Sequence, residues 1–270
     1  MSQVKEKETE LTQRQDGLLK GKKGIIFGVA NDHSLAWACA RELWKEGAEL
    51  AFTYQAEQLE RRVKPLAEQV KSTFVEQCDL GADEQIEETF KKLGKQWGSI
   101  DFVIHAVAFA AKEDLEGHFV DTSRKGFALA LDVSAYTLTA VTKAALPFLK
   151  EGGSVVTLTY YGAEKVVPHY NVMGVAKAAL EASVRYLAAD LGDKNIRVNA
   201  ISAGPVRTLA AMGIAGFRDM LKHVADKTPL KRNVQAEEVG KTSLFLVSDL
   251  ASGVTGEVIH VDCGYSIIGM

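Results

Sequence analysis

Short apolar runs alternate along the chain with longer segments in which apolar residues recur at helical spacing. The short runs are rich in β-branched and aromatic residues, as strands are. We predict strands over 22–30, 48–55, 72–80, 99–108, 154–161, 196–205 and 257–264, and helices over 34–47, 56–71, 83–97, 121–149, 170–190 and 235–247. Seven strands therefore alternate with helices along almost the whole chain.

The strands also indicate how the sheet is covered. The run FVIHAVA (102–108) is almost continuously apolar, as a strand buried on both faces must be. Together with the alternation of strands and helices, this predicts an α/β protein with a single-domain, Rossmann-type, doubly wound sheet of seven parallel strands and helices on both faces. Such sheets bind ligands at the carboxyl ends of their strands.

Length and composition fit one globular domain. The 270 residues are 47% hydrophobic and 25% charged, which argues against intrinsic disorder. No stretch approaches the roughly 20 consecutive apolar residues of a membrane helix. With 32 Lys+Arg against 35 Asp+Glu, the net charge of -3 gives no general attraction to nucleic acid or anionic lipid, so we expect neither partner.

The N-terminus and the cysteines indicate the compartment. Residues 1–16 mix acidic and basic side chains without the apolar core of a secretory signal, so we expect a disordered extension before a catalytic domain over 17–270. Cys39, Cys78 and Cys263 are odd in number and form no Cys-x-x-Cys pair. We therefore expect reduced thiols, a cytoplasmic protein and no metal site.

The first strand-loop-helix connection is a candidate phosphate site. Gly28 ends the strand and lets a backbone approach a phosphate closely, while Ser34 opens the helix as an N-cap or as a phosphate ligand. The Gly-x-Gly-x-x-Gly fingerprint is absent, because only Gly28 remains in GVANDHSLA. A plain turn with a tight-turn glycine explains this segment equally well on its own.

The ends of the second and third strands bear on the choice of cofactor. The second strand ends at the neutral Gln55, with neither the acidic residue typical of NAD sites nor the basic one of NADP sites. Arg61 and Arg62, two turns into the next helix, are interpreted as solvated, so NADH is favoured over NADPH. Asp79 can accept from an adenine amino group or cap the following helix.

Two Tyr/Lys pairs follow the fifth strand. Tyr161 and Lys165 have the four-residue spacing common in reductases of this fold, but Gly162 and Pro168 argue against a helix across them. Tyr170 and Lys177 are seven residues apart, which is two helical turns, so both can face the same way. The second pair is therefore the candidate.

Such a pair suits the reduction of a polarised substrate. Negative charge that develops on oxygen needs a donor, and the hydroxyl of Tyr170 can supply it, while the ammonium of Lys177 makes the tyrosine more acidic and binds nicotinamide ribose. Tyr160 ends the preceding strand and faces the same cleft. The alternative is that Tyr160 and Tyr170 are half-buried packing residues with satisfied hydroxyls.

Several motifs carry a specific resemblance. YYGAE (160–164), YNVMG with AKA (170–178), and RVNAISAGP followed by RTLA (197–210) closely resemble the bacterial NADH-dependent enoyl-acyl-carrier-protein reductases, a divergent branch of the short-chain dehydrogenase/reductases. The match runs over nearly the whole chain from about residue 17. The Tyr-x₆-Lys spacing, the lost glycines and the strand-end tyrosine occur together in that family.

The resemblance implies an enoyl reductase of type II fatty acid biosynthesis that moves hydride from NADH to the β-carbon of a trans-2-enoyl thioester on acyl carrier protein, in a homotetramer. It makes Tyr170 the stabiliser of the enolate, Lys177 the holder of the cofactor and Tyr160 a further active-site tyrosine. It implies cofactor contacts at Gly28, Ser34, Leu35, Gln55, Asp79, Leu80, Val107, Lys177, Val206, Arg207, Thr208, Leu209 and Ala210, and substrate contacts at Ala110, Tyr160, Tyr170, Met212, Ile214 and Phe217.

The segment after the sixth strand is the expected substrate lid, over about 206–228. Its part LAAMGIAGFRDML (209–221) is apolar enough for a fatty acyl chain, although an amphipathic helix packed on the core explains it too. Residues 205–232 carry six Lys/Arg and two Asp, a patch that suits an acidic carrier protein or is a solvated surface. Ala108 stands where the family usually has glycine, which puts sensitivity to inhibitors in question.

Two other functions fit the same fold. A ketoreductase acting on a 3-oxoacyl thioester is disfavoured, since no Tyr-x-x-x-Lys lies on a credible helix and no serine ends the preceding strand. A non-catalytic dinucleotide-binding scaffold is disfavoured by the presence of Tyr160, Tyr170 and Lys177 together.

Overall fold

A single parallel sheet of seven strands organises the protein in the computed structural model, which describes residues 12–208, 211 and 216–269. The strand order is β3-β2-β1-β4-β5-β6-β7. The strands are β1 Lys23–Phe27, β2 Glu49–Tyr54, β3 Phe74–Gln77, β4 Ile100–His105, β5 Leu149–Thr159, β6 Arg197–Ala203 and β7 Val258–Val261. The predicted fold class and the seven parallel strands are confirmed.

Helices cover both faces of the sheet. They are α1 Leu35–Lys45, α2 Glu57–Gln69, α3 Asp83–Trp97, α4 Arg124–Leu131, α5 Thr137–Ala145, α6 Asn171–Leu191, α7 Phe217–Lys227 and α8 Ala236–Val247. Because successive strand residues point to opposite faces, Ile26 packs with α1, α2 and α8, whereas Ile25 packs with α3, α5 and α6. Two apolar cores result, one on each side of the sheet.

The helix predicted over 121–149 is shorter than expected, since helical residues run continuously only over 124–145 and include a π-helical turn. The chain forms α4, then a π-helical turn over Asp132–Tyr136, then α5, which ends at Ala145. Strand β5 begins at Leu149, which pairs with Ile100 before the register shifts. The exposed polar residues that follow Leu149 gave no apolar signal of a strand, so its start was predicted only at residue 154.

The expected lid is helical in its second half. Helix α7 follows Gly216, whose φ is +72°, and it buries Phe217, Leu221 and Val224. The amphipathic-helix interpretation is thus confirmed for this part. Residues 209, 210 and 212–215 of the lid lie outside the described residues.

The segment that precedes β1 packs against the C-terminal end of α1. Arg14 contacts the carboxylate of Glu46 at 2.9 Å, and Leu19 is fully buried. Residues 1–11 of the expected extension lie outside the described residues. Within the part of the chain that the structure describes, no helix is long and apolar enough to cross a membrane.

Candidate active site

The predicted site residues follow the carboxyl ends of six neighbouring strands. Because all strands are parallel, these ends meet at one edge of the sheet. Gly28 follows β1, Gln55 follows β2, Asp79 and Leu80 follow β3, Val107 and Ala110 follow β4, Tyr160 follows β5, and Val206, Arg207 and Thr208 follow β6. Tyr170 at the N-cap of α6 and Lys177 within α6 join them, so one edge collects these predicted residues.

The connection from β1 to α1 requires a glycine. Gly28 has a φ of +101°, and a Cβ atom there would clash with the carbonyl oxygen of Ala106. Ser34 stands at the N-cap of α1, but its hydroxyl donates to the carbonyl of Asn31 at 2.6 Å and does not cap the helix. The predicted N-cap position of Ser34 is confirmed, without a capping bond from its side chain, and Leu35 opens α1 with its side chain against the core.

The side chains that follow β2 and β3 contact each other. The amide nitrogen of Gln55 lies 3.4 Å from a carboxylate oxygen of Asp79, which also accepts from the backbone N–H of Gly81 at 3.1 Å. Helix α3 has Ala82 at its N-cap, so Asp79 is not a helix cap. The side chain of Leu80 is buried in the core, which leaves the amide and the carboxylate at this edge.

Tyr160 and Tyr170 pack edge to face. Their ring centroids are 4.9 Å apart at 69°, and a Cβ atom at Gly162 would collide with the ring of Tyr170. The hydroxyl of Tyr160 lies 3.5 Å from the sulfur of Met220 on α7, a contact that the sequence did not reveal. The strand end, the start of α6 and the lid helix therefore meet at these two rings.

The Tyr161–Lys165 pair is not on a helix across both residues. Tyr161 lies in a short 3₁₀ turn over Tyr161–Ala163, and α6 begins only at Asn171. Lys165 is exposed. The prediction that no helix spans this pair is confirmed.

Both site tyrosines are neutral at pH 7. Burial raises the pKa of Tyr160 to about 12. Burial also raises the pKa of Tyr170 well above its ordinary value, and Tyr160 and Glu181 add to the effect. The net shift of this pKa is therefore upward, opposite to the acidification expected from Lys177, and the phenol is a donor that keeps its proton.

Lys177 carries a buried ammonium group. Its side chain lies two turns into α6, its residue is 5% exposed, and its Nζ donates to the carbonyl of Leu158 at 2.7 Å. Burial lowers the pKa of Lys177 to about 8, and the carboxyl of Glu181 opposes that effect. The ammonium form prevails at pH 7, next to the end of β5.

A buried histidine supports the site and was missed as a site residue. The ring nitrogens of His105 lie 2.9 Å from the hydroxyls of Thr157 and Thr137. Burial, with the charge of Lys177, lowers the pKa of His105 to about 3. The available signal was one polar residue inside the otherwise apolar run FVIHAVA (102–108).

The predicted substrate residues are brought together in part. Ala110 and Tyr170 pack on one small apolar cluster, formed by residues of α4 and α6. Phe217 is buried at the start of α7. Met212 and Ile214 lie outside the described residues.

The connection after β6 holds the remaining cofactor candidates. Val206 packs against the core and Arg207 is exposed, while the hydroxyl of Thr208 accepts from the backbone N–H of Ala211 at 3.1 Å. Leu209 and Ala210 lie outside the described residues.

Comparison with known families decides which family this arrangement belongs to. A family profile described as Enoyl-(Acyl carrier protein) reductase matches residues 28–266. The chain belongs to this family. The predicted resemblance is thereby confirmed over nearly the whole chain.

Relatives of this family are similar over their full length. The enoyl-[acyl-carrier-protein] reductase [NADH] 1 of Rhizobium meliloti is 56% identical over 254 residues, which are 94% of this chain and 93% of the relative. The solved reductase of Anaplasma phagocytophilum, in complex with NAD, has a TM-score of 0.92 and 53% identity, with 96% and 99% of the two chains covered. That of Bacillus cereus, with NADP+ and an indole naphthyridinone, has a TM-score of 0.93 and 53% identity, with 94% and 100% covered.

Proposed function

We propose that the protein is an NADH-dependent enoyl-acyl-carrier-protein reductase of type II fatty acid biosynthesis. It reduces the carbon–carbon double bond of a trans-2-enoyl thioester at the β-carbon. The observation that carries this proposal is the placement of Tyr170, at the N-cap of α6, and of Lys177, seven residues later within α6, at the carboxyl edge of a sheet that belongs to the enoyl reductase family.

The edge of the sheet fits a dinucleotide. The backbone at Gly28 allows close approach, and the first N–H groups of α1, at Leu35 and Ala36, precede the first intrahelical bonds and favour a phosphate. The neutral Gln55 and the carboxylate of Asp79 suit hydroxyl and amino groups better than a 2′-phosphate, which supports NADH over NADPH. NADH, when bound, supplies the hydride.

The tyrosines and the lysine have distinct proposed roles. As negative charge develops on the thioester oxygen, the neutral hydroxyl of Tyr170 donates a hydrogen bond to it and stabilises the enolate. The α-carbon then takes up a proton from solvent water, so that the hydride and this proton together saturate the double bond. Lys177 binds the ribose hydroxyls of the cofactor with its ammonium, and Tyr160 forms the wall between Tyr170 and the lid helix α7.

Further cofactor contacts are proposed after β4 and β6. Val107 lies beside the core after β4, and Val206, Arg207 and Thr208 follow β6 at the same edge. Leu209 and Ala210 complete the set that the family resemblance implies.

The side chains of the lid favour a fatty acyl chain carried on acyl carrier protein as the substrate. Helix α7 turns Phe217 inward and leaves Arg218, Lys222 and Lys227 exposed. An apolar acyl chain gains about 0.8 kcal/mol for each buried methylene, and an acidic acyl carrier protein is attracted to the exposed cations. We therefore assign the carrier to this side of the molecule.

One assay separates the proposed reaction from its rivals. The absorbance of NADH and of NADPH is followed with crotonyl and acetoacetyl thioesters, each presented on acyl carrier protein and on coenzyme A. We expect NADH to be oxidised with the crotonyl thioester only, with a KM for the carrier form that rises with salt. Oxidation with acetoacetyl thioester alone would identify a ketoreductase, and none with either would favour the scaffold.

Variants test the assigned residues. Tyr170→Phe removes the donor and should lower kcat by about 100-fold while the fold persists, and Lys177→Ala should weaken the binding of NADH. Tyr161→Phe and Lys165→Ala make the same changes in the excluded pair and should leave kcat and the Kd for NADH unchanged. If Lys177→Ala bound NADH as tightly as the wild type, the proposed role of Lys177 in binding the cofactor would be contradicted.

A further inference from the structure

Glu181 is a buried carboxyl group that the proposed reaction does not use. It lies on α6 one helical turn after Lys177, and the residue is 8% exposed. Its carboxylate accepts a hydrogen bond from the hydroxyl of Thr159 at 2.7 Å. A buried carboxyl group costs stability unless its charge or its hydrogen bonds are used, so its position beside the site calls for a role.

Helix α6 holds the end of β5 at two successive residues. Lys177 donates to the carbonyl of Leu158 at 2.7 Å, and Glu181 accepts from the side chain of Thr159. The next residue along the chain is Tyr160, which packs against Tyr170 at the start of the same helix. These two bonds therefore fix the strand end and the helix that together place both site tyrosines.

The charge of Glu181 reaches the site as well. It raises the pKa of both Lys177 and Tyr170, so it favours the ammonium form of the lysine and the neutral form of the tyrosine. Both are the protonation states that the proposed reaction needs. From strand β4, the neutral ring of His105 is the titratable group that faces Lys177.

Other charged groups surround Glu181 on its outer side. Burial raises the pKa of Glu181, and the hydrogen bond from Thr159 opposes this effect. Among the surrounding charges, Glu164, which follows β5, raises this pKa, whereas His260 on β7 and Arg185 on α6 lower it. Glu164 and His260 also contact each other, with Nε2 of His260 2.7 Å from a carboxylate oxygen of Glu164.

We propose that Glu181 is a positioning residue, which keeps Lys177 charged through its carboxylate and fixes the end of β5 through Thr159. The proposal rests on the function proposed above for Lys177. Its two parts, charge and position, are separable because one substitution removes the charge and another removes the hydrogen bond.

The charge is tested with Glu181→Gln, which keeps an oxygen that can accept from Thr159 but is neutral. The pH dependence of the Kd for NADH and of kcat/KM is measured on the full-length protein. The basic limb of each profile is the loss of binding or activity at high pH as Lys177 loses its proton. Because loss of the carboxylate makes Lys177 easier to deprotonate, we expect this limb to move to lower pH by roughly half a unit to one unit in both profiles. Glu164→Gln, which removes a more exposed carboxylate, should move the limb less.

The position is tested with Thr159→Val, which keeps the carboxylate and the shape of the side chain. We expect kcat to fall several-fold because Tyr160 loses its fixed support, while the basic limb stays at the wild-type pH. If Glu181→Gln misfolds, Glu181→Asp retains the charge one methylene farther away, and its limb should lie between those of the wild type and a neutral residue.

The failure of this inference is distinguishable from that of the proposed function. An unmoved basic limb in Glu181→Gln, with Lys177→Ala still weakening NADH binding, would overturn the role of Glu181 alone. A wild-type protein that does not oxidise NADH with crotonyl thioester would overturn both. A melting temperature lowered in Glu181→Gln without a shift of the limb would reduce Glu181 to a structural residue.

Discussion

His105 shows how a single buried side chain connects three elements beside the site. Its ring bridges the hydroxyls of Thr157 on β5 and Thr137 on α5, and its own backbone belongs to β4. In this position the imidazolium form would lose its hydration and face the charge of Lys177, so the ring stays neutral. His105 therefore acts through hydrogen bonds, with no proton to give at pH 7.

Acid should destabilise the protein through this residue. Below the unfolded pKa of about 6.5, the unfolded chain binds a proton at His105 that the folded chain does not bind until about pH 3. The unfolding free energy therefore falls as the pH decreases through that window, by about 2 kcal/mol for this group between pH 7 and pH 5. Urea unfolding at the two pH values measures the loss.

His105→Gln provides the control for this prediction. The variant retains hydrogen-bonding atoms but cannot titrate, so its loss of stability between pH 7 and pH 5 should be smaller than that of the wild type by that amount. Equal losses in the two proteins would contradict the assignment, since the remaining carboxylates are common to both.

The sequence predicted the site residues whose positions follow from the helical repeat or from the end of an apolar strand. Tyr170 and Lys177 were placed on one side of a helix because seven residues make two turns, and Tyr160 was placed at a strand end by the run that precedes it. Glu181 was missed because an acidic residue on a helix ordinarily indicates a solvated face. Only the packing of α6 against β5 shows that this one is buried.

The π-helical turn between α4 and α5 is the element that holds the loop after β4. The hydroxyl of Ser134, inside the turn, accepts from the backbone N–H of Phe109 at 3.0 Å and donates to its carbonyl at 3.1 Å. Phe109 lies between Val107 and Ala110, the cofactor and substrate candidates of this loop. Turns of this kind often occur at functional sites, and here the turn sets the position of a wall of the cleft.

Ser134→Ala should make the loop after β4 more mobile. The substitution leaves the N–H of Phe109 without its partner, at a cost of about 1–2 kcal/mol in unfolding free energy. Because the loop then samples other positions, we expect the KM values for NADH and for the enoyl thioester to rise several-fold. Steady-state kinetics and urea unfolding measure both effects.

Ser183→Ala is the matched control. The hydroxyl of Ser183 also donates to a backbone carbonyl, that of Ala179 on the same helix, at 2.9 Å. Its removal should leave both KM values unchanged. A rise in KM of the same size in Ser183→Ala would assign the effect to general destabilisation.

Apolar periodicity predicted the elements but could not predict their interruptions. Buried residues recur every four residues from Gly126 to Thr142, so the pattern passes through the π turn without marking it. The break is decided by the bonds of Ser134 and Thr137 to other parts of the chain, which a periodic pattern does not contain. All seven strands were predicted, most clearly β4 and β6, which are buried along their whole length.

The outer face of α6 bears on the assembly of the whole molecule. Val175 is 36% exposed and Tyr186 is 76% exposed, and with Ala178 and Ala182 they form a stripe at helical spacing. Large exposed apolar side chains beside small ones suit close packing of a second helix. The homotetramer that the family resemblance implies remains a prediction, and this stripe supports it.

Light scattering should find a mass of four chains in solution. Tyr186→Glu places a charge in the stripe, so we expect a smaller assembly at the same protein concentration. Leu18→Glu changes an exposed leucine on the segment before β1 and should leave the mass unchanged. A monomeric wild type, or a Tyr186→Glu variant of unchanged mass, would contradict the role of the stripe.

The strand order also determines when the chain can fold during its synthesis. Strand β1 pairs with β4, so Gly24 cannot pair until its partner Phe102 has been synthesised. The synthesis of the intervening residues takes roughly 4–16 s at ribosomal rates of about 5–20 residues per second. Helix α8, made near the end of synthesis, shares an apolar core with α1, made near the start. The nascent chain therefore exposes the apolar side of α1 until the last helix emerges, and during that interval it is a natural client for chaperones.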